Sequence, residues 1–202
     1  VIGVGLIGGS LACALRKAGK VETVVGVGRG IANLEQAVEL GVIDSYSQDA
    51  AQAVVDADMV VIGATLGSTA DILARIAPAL GPGTVVTDVG STKASVVASA
   101  RAALGDKFAR FVPGHPIAGT EHSGAQAAFA ELYVGHRVIL TPVAETDTDA
   151  LICVRAMWET AGARVAQMSI ADHDRVLAAT SHLPHMLAFT LVDMLAAASD
   201  AD

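Results

Sequence analysis

Short β-branched runs alternate with longer stretches of helical periodicity along most of the chain. The runs at 21–27, 59–62, 84–88, 111–112, 137–141 and 164–168 are apolar and end in turn or polar residues, so they read as strands. Between them, 10–18, 31–40, 69–80, 94–104 and 148–161 repeat apolar positions at three- and four-residue spacing. These predict helices, several closed by turn residues such as Gly19, Gly41 and Gly81-Pro82-Gly83. Strand–helix alternation predicts βαβ units and an α/β fold with a doubly wound, mostly parallel sheet. Val1-Ile2-Gly3 reads as the last residues of a strand whose beginning is absent.

The texture changes after Met168, where the sheet is expected to end. From 172 to 198 a long helical run carries Leu183, Leu187 and Leu191 on one stripe, and Pro184 inside it should kink or restart the helix. A Leu stripe needs a partner, which points to a second, helical domain or a second subunit. The expected division is 1–169 for the sheet-containing domain and 170–202 for the start of the helical one.

Composition excludes several classes. With 52% hydrophobic and 17% charged residues in 202, the chain has enough apolar material for a sizeable core and is not a disordered tail. The net charge is −8 and the 13 Lys and Arg are scattered, so no nucleic-acid partner is expected. No apolar run approaches the roughly 20 residues of a membrane span, so no membrane partner is expected either. Cys13 and Cys153 are too few for a disulfide framework. Both lie in apolar helical patterns, where free buried thiols are usual, which fits a reducing cytoplasm.

Gly3-Val4-Gly5-Leu6-Ile7-Gly8 is a G-x-G-x-x-G segment between a strand and a helix. There, absent side chains let backbone N–H groups of Gly3, Gly5, Leu6, Ile7 and Gly8 and the helix N-terminus approach a pyrophosphate. The bland alternative is a tight turn without a ligand. A site for NAD usually places an acid about 20 residues on, at the end of the second strand. Here that strand ends Gly26-Val27-Gly28-Arg29, with no carboxylate and with an Arg able to pair a 2′-phosphate. The expectation is therefore NADP as the preferred cofactor with NAD possible, unless Arg29 is only a solvated loop residue.

Three polar clusters could carry chemistry. After strand 84–88, Asp88-Val89-Gly90-Ser91-Thr92-Lys93 should project its hydroxyls and Lys from the carboxyl edge of the sheet, where open α/β proteins bind ligands. Ser91 could contact cofactor and orient a catalytic partner, or simply cap the following helix. Pro113 to Glu121 reads as a rigid Pro- and Gly-bracketed loop presenting His115, suited to general-base work though equally readable as a surface residue. Ser181-His182-Leu183-Pro184-His185 places Ser181 and His185 four apart on one helical face, where both can meet one ligand. His182 and His185 with Asp172, His173 and Asp174 offer zinc-type ligands, but no H-e-x-x-H pattern or Cys cluster supports a metal, and none is expected. No nucleophile elbow is present.

With these segments in hand, the chain resembles the prephenate and arogenate dehydrogenases of tyrosine biosynthesis. The resemblance runs through the glycine segment up to Leu11, Thr87 to Lys93, Gly114 to Glu121 and Ser181 to His185, in order, over essentially the whole chain. It implies a Rossmann-type nucleotide domain followed by a helical domain that forms a homodimer. It also implies oxidative decarboxylation: hydride leaves ring C4 of a cyclohexadienyl acid for NAD(P), the C4 hydroxyl loses its proton, and carbon dioxide departs as the ring aromatises. By resemblance His115 is the base and Ser91 orients it. His185 lies near the substrate side chain, Thr120 and Glu121 form a polar segment at the pocket mouth, and Ser181 and His182 share the helix of His185. The family's Arg for the ring carboxylate has no match in these 202 residues, so this piece alone is expected to bind nucleotide but turn over poorly. Prephenate, or use of both substrates, is favoured because an imidazole donor at His185 suits a keto-acid carboxylate. Another NADP-dependent dehydrogenase of a small acid, or a silent nucleotide sensor, are the competing expectations.

Overall fold

In the computed structural model, which describes residues 1–199, the backbone of Ile2 lies between two parallel strands and bridges Val27 on one side and Ile62 on the other. From this centre the chain forms α1 (Leu6–Lys17), β1 (Val25–Val27), α2 (Ile31–Glu39), β2 (Ser45–Ser47) and α3 (Ala50–Ala53). It continues through β3 (Met59–Ile62), α4 (Leu66–Ile76), β4 (Val85–Asp88), α5 (Ala94–Leu104) and β5 (Phe111–Val112). The spatial order is β2-β1-Ile2-β3-β4-β5, all parallel. The order reverses between Ile2 and β3, and the crevice above such a switch point is where doubly wound sheets bind ligands.

β3 (Met-Val-Val-Ile) is apolar, β4 opens on Val85-Val86 before Thr87 and Asp88, and both strands are almost entirely buried, covered on both faces. β2 (Ser-Tyr-Ser) is polar and exposed at the sheet edge, which is why no apolar run announces it. The remaining differences at element ends are small: β1 is shorter than 21–27, α1 starts at Leu6 rather than Ser10, and α4 starts at Leu66 rather than Thr69.

The segment after β5 departs from expectation. Rather than a loop, 114–117 forms β6 (Gly114–Ile117), paired antiparallel with β7 (Arg137–Leu140), which pairs parallel with β8 (Arg164–Gln167) after α6 (Thr148–Thr160). The Pro and Gly at 113–114 turn the chain out of the first sheet. Partnership with β7, not local propensity, then makes the strand. Packing of α1 against this second sheet is anchored by Tyr133 and Trp158, both fully buried and edge-to-face at 5.0 Å. The Tyr133 hydroxyl donates to the Ile7 carbonyl at 2.6 Å.

β8 ends one residue before Met168, near the expected end of the sheet. The following helical run is distorted where Pro184 acts: α7 (Ile170–Leu177) passes through a π-helical turn (Ala178–His182) into α8 (Leu183–Ser199), and Thr180, four residues before Pro184, whose carbonyl the proline cannot bond, lies in that turn. Leu183, Leu187 and Leu191 are all more than half exposed, as are Met186, Phe189 and Val192 on the other sides of α8. The thiols also differ from expectation: Cys13 is half-buried and Cys153 is exposed, because Cys153 falls on the outer face of α6.

Candidate active site

The glycine segment sits at the crevice. Gly3 has φ +95°, a conformation that disfavours side chains, and a Cβ there would lie 2.6 Å from the backbone of Gly63 after β3. A Cβ on Gly8 would lie 2.5 Å from the Gly3 carbonyl oxygen, so this glycine lets α1 sit against the strand end. Gly5 is different: a Cβ there meets nothing within 4 Å. It caps α1 with no side-chain hydrogen bond, and the first bond of the helix is Gly9 N–H to the Gly5 carbonyl. The first-turn amides therefore face open space at the positive end of the helix, a fit for a pyrophosphate. Arg29 stands exposed just past β1, with no carboxylate beside it at the strand end and with its carbonyl accepting from Gln48 Nε2 at 2.8 Å.

The polar cluster lies along the same carboxyl edge. Asp88 ends β4, 2% exposed, and accepts from the Gly90 and Gly114 amides at 2.8 and 3.2 Å. Lys93 is fully buried; contrary to expectation it turns inward, reaching Asp88 Oδ2 at 2.5 Å and the Gly114 carbonyl at 2.6 Å. Burial pushes the Asp88 carboxyl up and the Lys93 ammonium down, each opposed by the partner's charge. This pair fixes the end of β4 against the residue that precedes His115.

His115, in the middle of β6 opposite Ile139, is half-buried. Its Nδ1 is 2.9 Å from Nε2 of His173, which is fully buried on α7. Nδ1 of His173 is in turn 2.8 Å from Asp174 Oδ1. Burial first, then the Lys93 charge, then His173 and His182, push His115 down to about 3 despite the opposing charge of Asp174. A ring held neutral at pH 7 with Nε2 unengaged can accept a proton.

Asp174 accepts the Lys93 and Ala94 amides at 2.8 and 2.9 Å, and so caps α5 from 80 residues away. The cap role considered for Ser91 is thus filled by Asp174. Ser91 stays half-buried at the sheet edge, two residues before Lys93. His182, in the π-helical turn, is close enough for its charge to act on His115, and Ser181 precedes it. His185 Nδ1–H donates to the Ser181 carbonyl at 2.9 Å, with Ser181 half-buried and His185 exposed. Thr120 and Glu121 are exposed on the segment after β6; Thr120 Oγ1 accepts the His122 amide at 3.2 Å, and Glu121 lies 3.4 Å from His122 Nε2.

The His115 ring thus meets His173 and feels the charges of Lys93, His182 and Asp174, while Ser91, Ser181, Thr120, Glu121 and His185 make no hydrogen bond to it among the described residues. Sequence reasoning missed the roles of Lys93, His173 and Asp174. The run Asp172-His173-Asp174 was the available signal, but as isolated ligand types it suggests only a metal, and only the packing of α7 on α5 reveals what it faces.

Comparison with known proteins places this geometry. A family model described as "Prephenate dehydrogenase, nucleotide-binding domain" matches residues 11–167, and one described as "Prephenate dehydrogenase, dimerization domain" matches 169–202. A cyclohexadienyl dehydrogenase from Zymomonas mobilis is 38% identical over 195 residues, covering 96% of this chain and 66% of that protein. The chain spans about half the length of other curated relatives it matches. A crystal structure of prephenate dehydrogenase from Aquifex aeolicus in complex with hydroxyphenyl propionate and NAD+ aligns with a TM-score of 0.90 at 39% identity, over 96% of this chain and 67% of that one. Synechocystis arogenate dehydrogenase aligns with a TM-score of 0.84 at 32% identity, over 100% of this chain and 73% of that one.

Proposed function

Because the chain belongs to the prephenate dehydrogenase family, we propose that it takes part in the oxidative decarboxylation of prephenate, arogenate or both, within tyrosine biosynthesis. The observation that carries this reading is the neutral, half-buried imidazole of His115, which follows Gly114, the residue tied to Asp88 at the carboxyl end of β4, in the same domain as the open glycine cradle. A nicotinamide bound in the crevice supplies the hydride acceptor for ring C4. His115 takes the C4 hydroxyl proton, which strengthens hydride departure as the C4–O bond gains carbonyl character. Loss of carbon dioxide from the opposite ring carbon then delivers the electron pair that makes the ring aromatic, and the ring oxygen regains a proton.

Leu6, Ile7 and Gly8 in the first turn of α1 would hold the pyrophosphate, while Gly3 and Gly5, whose amides donate to the Val27 and Gly3 carbonyls at 2.7 and 3.2 Å rather than pointing to a ligand as the sequence suggested, would let it approach. NADP is the preferred cofactor in this reading, because Arg29 offers a cation where NAD-selective sites carry an acid. Ser91 would orient His115 and face the nicotinamide, and Ser181, His182, His185, Thr120 and Glu121 would meet the substrate. The division at 169/170 and a homodimer built through α8 are supported by its exposed apolar side chains and by the dimerization-domain match. A cytoplasmic location fits the two free thiols.

The test follows nicotinamide reduction by absorbance with the intact protein, offering prephenate and arogenate with NADP and NAD beside His115→Asn. Substrate-dependent reduction that collapses in the variant is the expected result. Nucleotide binding without reduction by either substrate would refute the assignment.

A further inference from the structure

The His115–His173–Asp174 chain admits few proton arrangements. Asp174 is held by two backbone N–H groups at the start of α5, and its Oδ1 also meets His173. Burial alone would raise its carboxyl, but the two amides and then His173 outweigh this and keep it below the usual carboxylate range. A carboxylate only accepts, so the proton between it and His173 resides on His173 Nδ1. A neutral ring so protonated has its lone pair on Nε2. That nitrogen faces His115 Nδ1 at 2.9 Å and must receive a proton from it. His115 is then the Nδ1–H tautomer, and its lone pair lies on Nε2, the nitrogen no described residue engages.

We propose that His173 and Asp174 are positioning residues that fix the tautomer and orientation of His115, so that Nε2 is always the proton-accepting atom. This rests on the reading of His115 as the base. The pair also follows the reaction. When Nε2 takes the hydroxyl proton, the ring becomes a cation whose Nδ1–H still donates to His173, and the Asp174 charge stands two hydrogen bonds behind it. A second consequence is structural: because Asp174 also caps α5, docking of α7 on α5 and readiness of the base are one event. Lys93 at the start of α5 and His182 in the π-helical turn are the other charged or titratable groups facing His115, and both act against its protonation.

The test has two arms on the intact protein. In the first, imidazole 15N shifts of the resting protein, assigned with His115→Asn and His173→Gln, report the tautomers. Nδ1–H with bare Nε2 at His115 is expected; Nε2–H at His115, or an imidazolium at His173, overturns the proposal whatever the activity. In the second, Asp174→Asn is expected to lower kcat about 100-fold with KM for substrate and nucleotide within about threefold, since an amide can donate to His173 and reverse both tautomers. The kcat–pH profile of this variant should move on its acid limb. His173→Gln, whose side-chain oxygen reaches the same place as Nε2, should retain more activity than His173→Leu. Equal losses in Gln and Leu variants, or a loss confined to KM, would overturn the positioning role. If the unaltered protein reduces no nucleotide with either substrate, the proposed reaction fails, while the 15N spectrum still decides the tautomer.

Discussion

Lys93 Nζ lies 2.6 Å from the Gly114 carbonyl, so a fully buried ammonium ties the end of β4 to the residue directly before His115. The same nitrogen neutralises Asp88. Replacing Lys93 with Met leaves a buried carboxylate without its cation, a loss typically of about 3–5 kcal/mol. Urea denaturation followed by circular dichroism should show that loss for Lys93→Met and a smaller one for Lys93→Met combined with Asp88→Asn. Equal losses would mean that the charge on Asp88 is not what makes Lys93 necessary.

The glycines should separate folding from binding. Gly8→Ala pushes a Cβ into the Gly3 carbonyl and should cost about 1–3 kcal/mol of stability. Gly5→Ala meets no protein atom, so the fold should tolerate it while nucleotide affinity falls by about tenfold or more, near 1.4 kcal/mol. Calorimetric titration with NADP and NAD, beside thermal melts, checks both. Unchanged affinity in Gly5→Ala would place the phosphates elsewhere.

Arg29→Ala should weaken NADP by about tenfold through loss of a charge-assisted contact with the 2′-phosphate, and leave NAD within about twofold. The same titration reads it. Equal effects on both nucleotides would make Arg29 a general phosphate contact, and no effect would return it to the solvated surface.

Stability should fall with acid in a defined window. His115 is pushed down to about 3 in the folded chain, against an ordinary value near 6.5. Between those values the unfolded chain binds a proton that the native state refuses, so stability rises with pH across the window and is lost as pH falls through it. The total is on the order of a few kcal/mol. Denaturation midpoints from pH 7 to 4 should drop less steeply in His115→Asn, which keeps a donor toward His173 but cannot titrate. Parallel slopes would remove His115 as the cause.

The exposed apolar side chains of α8 should govern association. Leu187 and Leu191, 63% and 58% exposed, lie one helical turn apart. Leu187→Glu with Leu191→Glu should shift the sedimentation coefficient of the intact protein toward the monomer. Dimers that persist at micromolar concentration in the double variant would move the interface off this stripe.

Legibility in the sequence followed the range of the interactions concerned. β3 and the Val85-Val86 start of β4 were readable because a strand buried on both faces favours an apolar run, and the glycine segment because Gly3 and Gly8 are required by backbone proximity that no other residue permits. His115 stood out by its Pro and Gly setting, but that setting concealed β6, which exists only through β7. Pro184 was legible as a helix distorter, and the irregular turn at 178–182 holds Thr180, the residue four before it whose carbonyl it cannot bond.

The sequence by itself determined the α/β alternation, the glycine-rich turn before α1, the presence of Arg29 and no acid after β1, and the order of the segments that mark the family. These depend on local backbone preference and on periodicity, which neighbouring residues encode. Only the tertiary structure decided that Lys93 points inward to Asp88, that Asp174 rather than Ser91 caps α5, and that His173 stands behind His115. Those contacts join residues up to 81 positions apart, and burial creates them: a charge or an imidazole removed from water must find a partner wherever the packed helices place one.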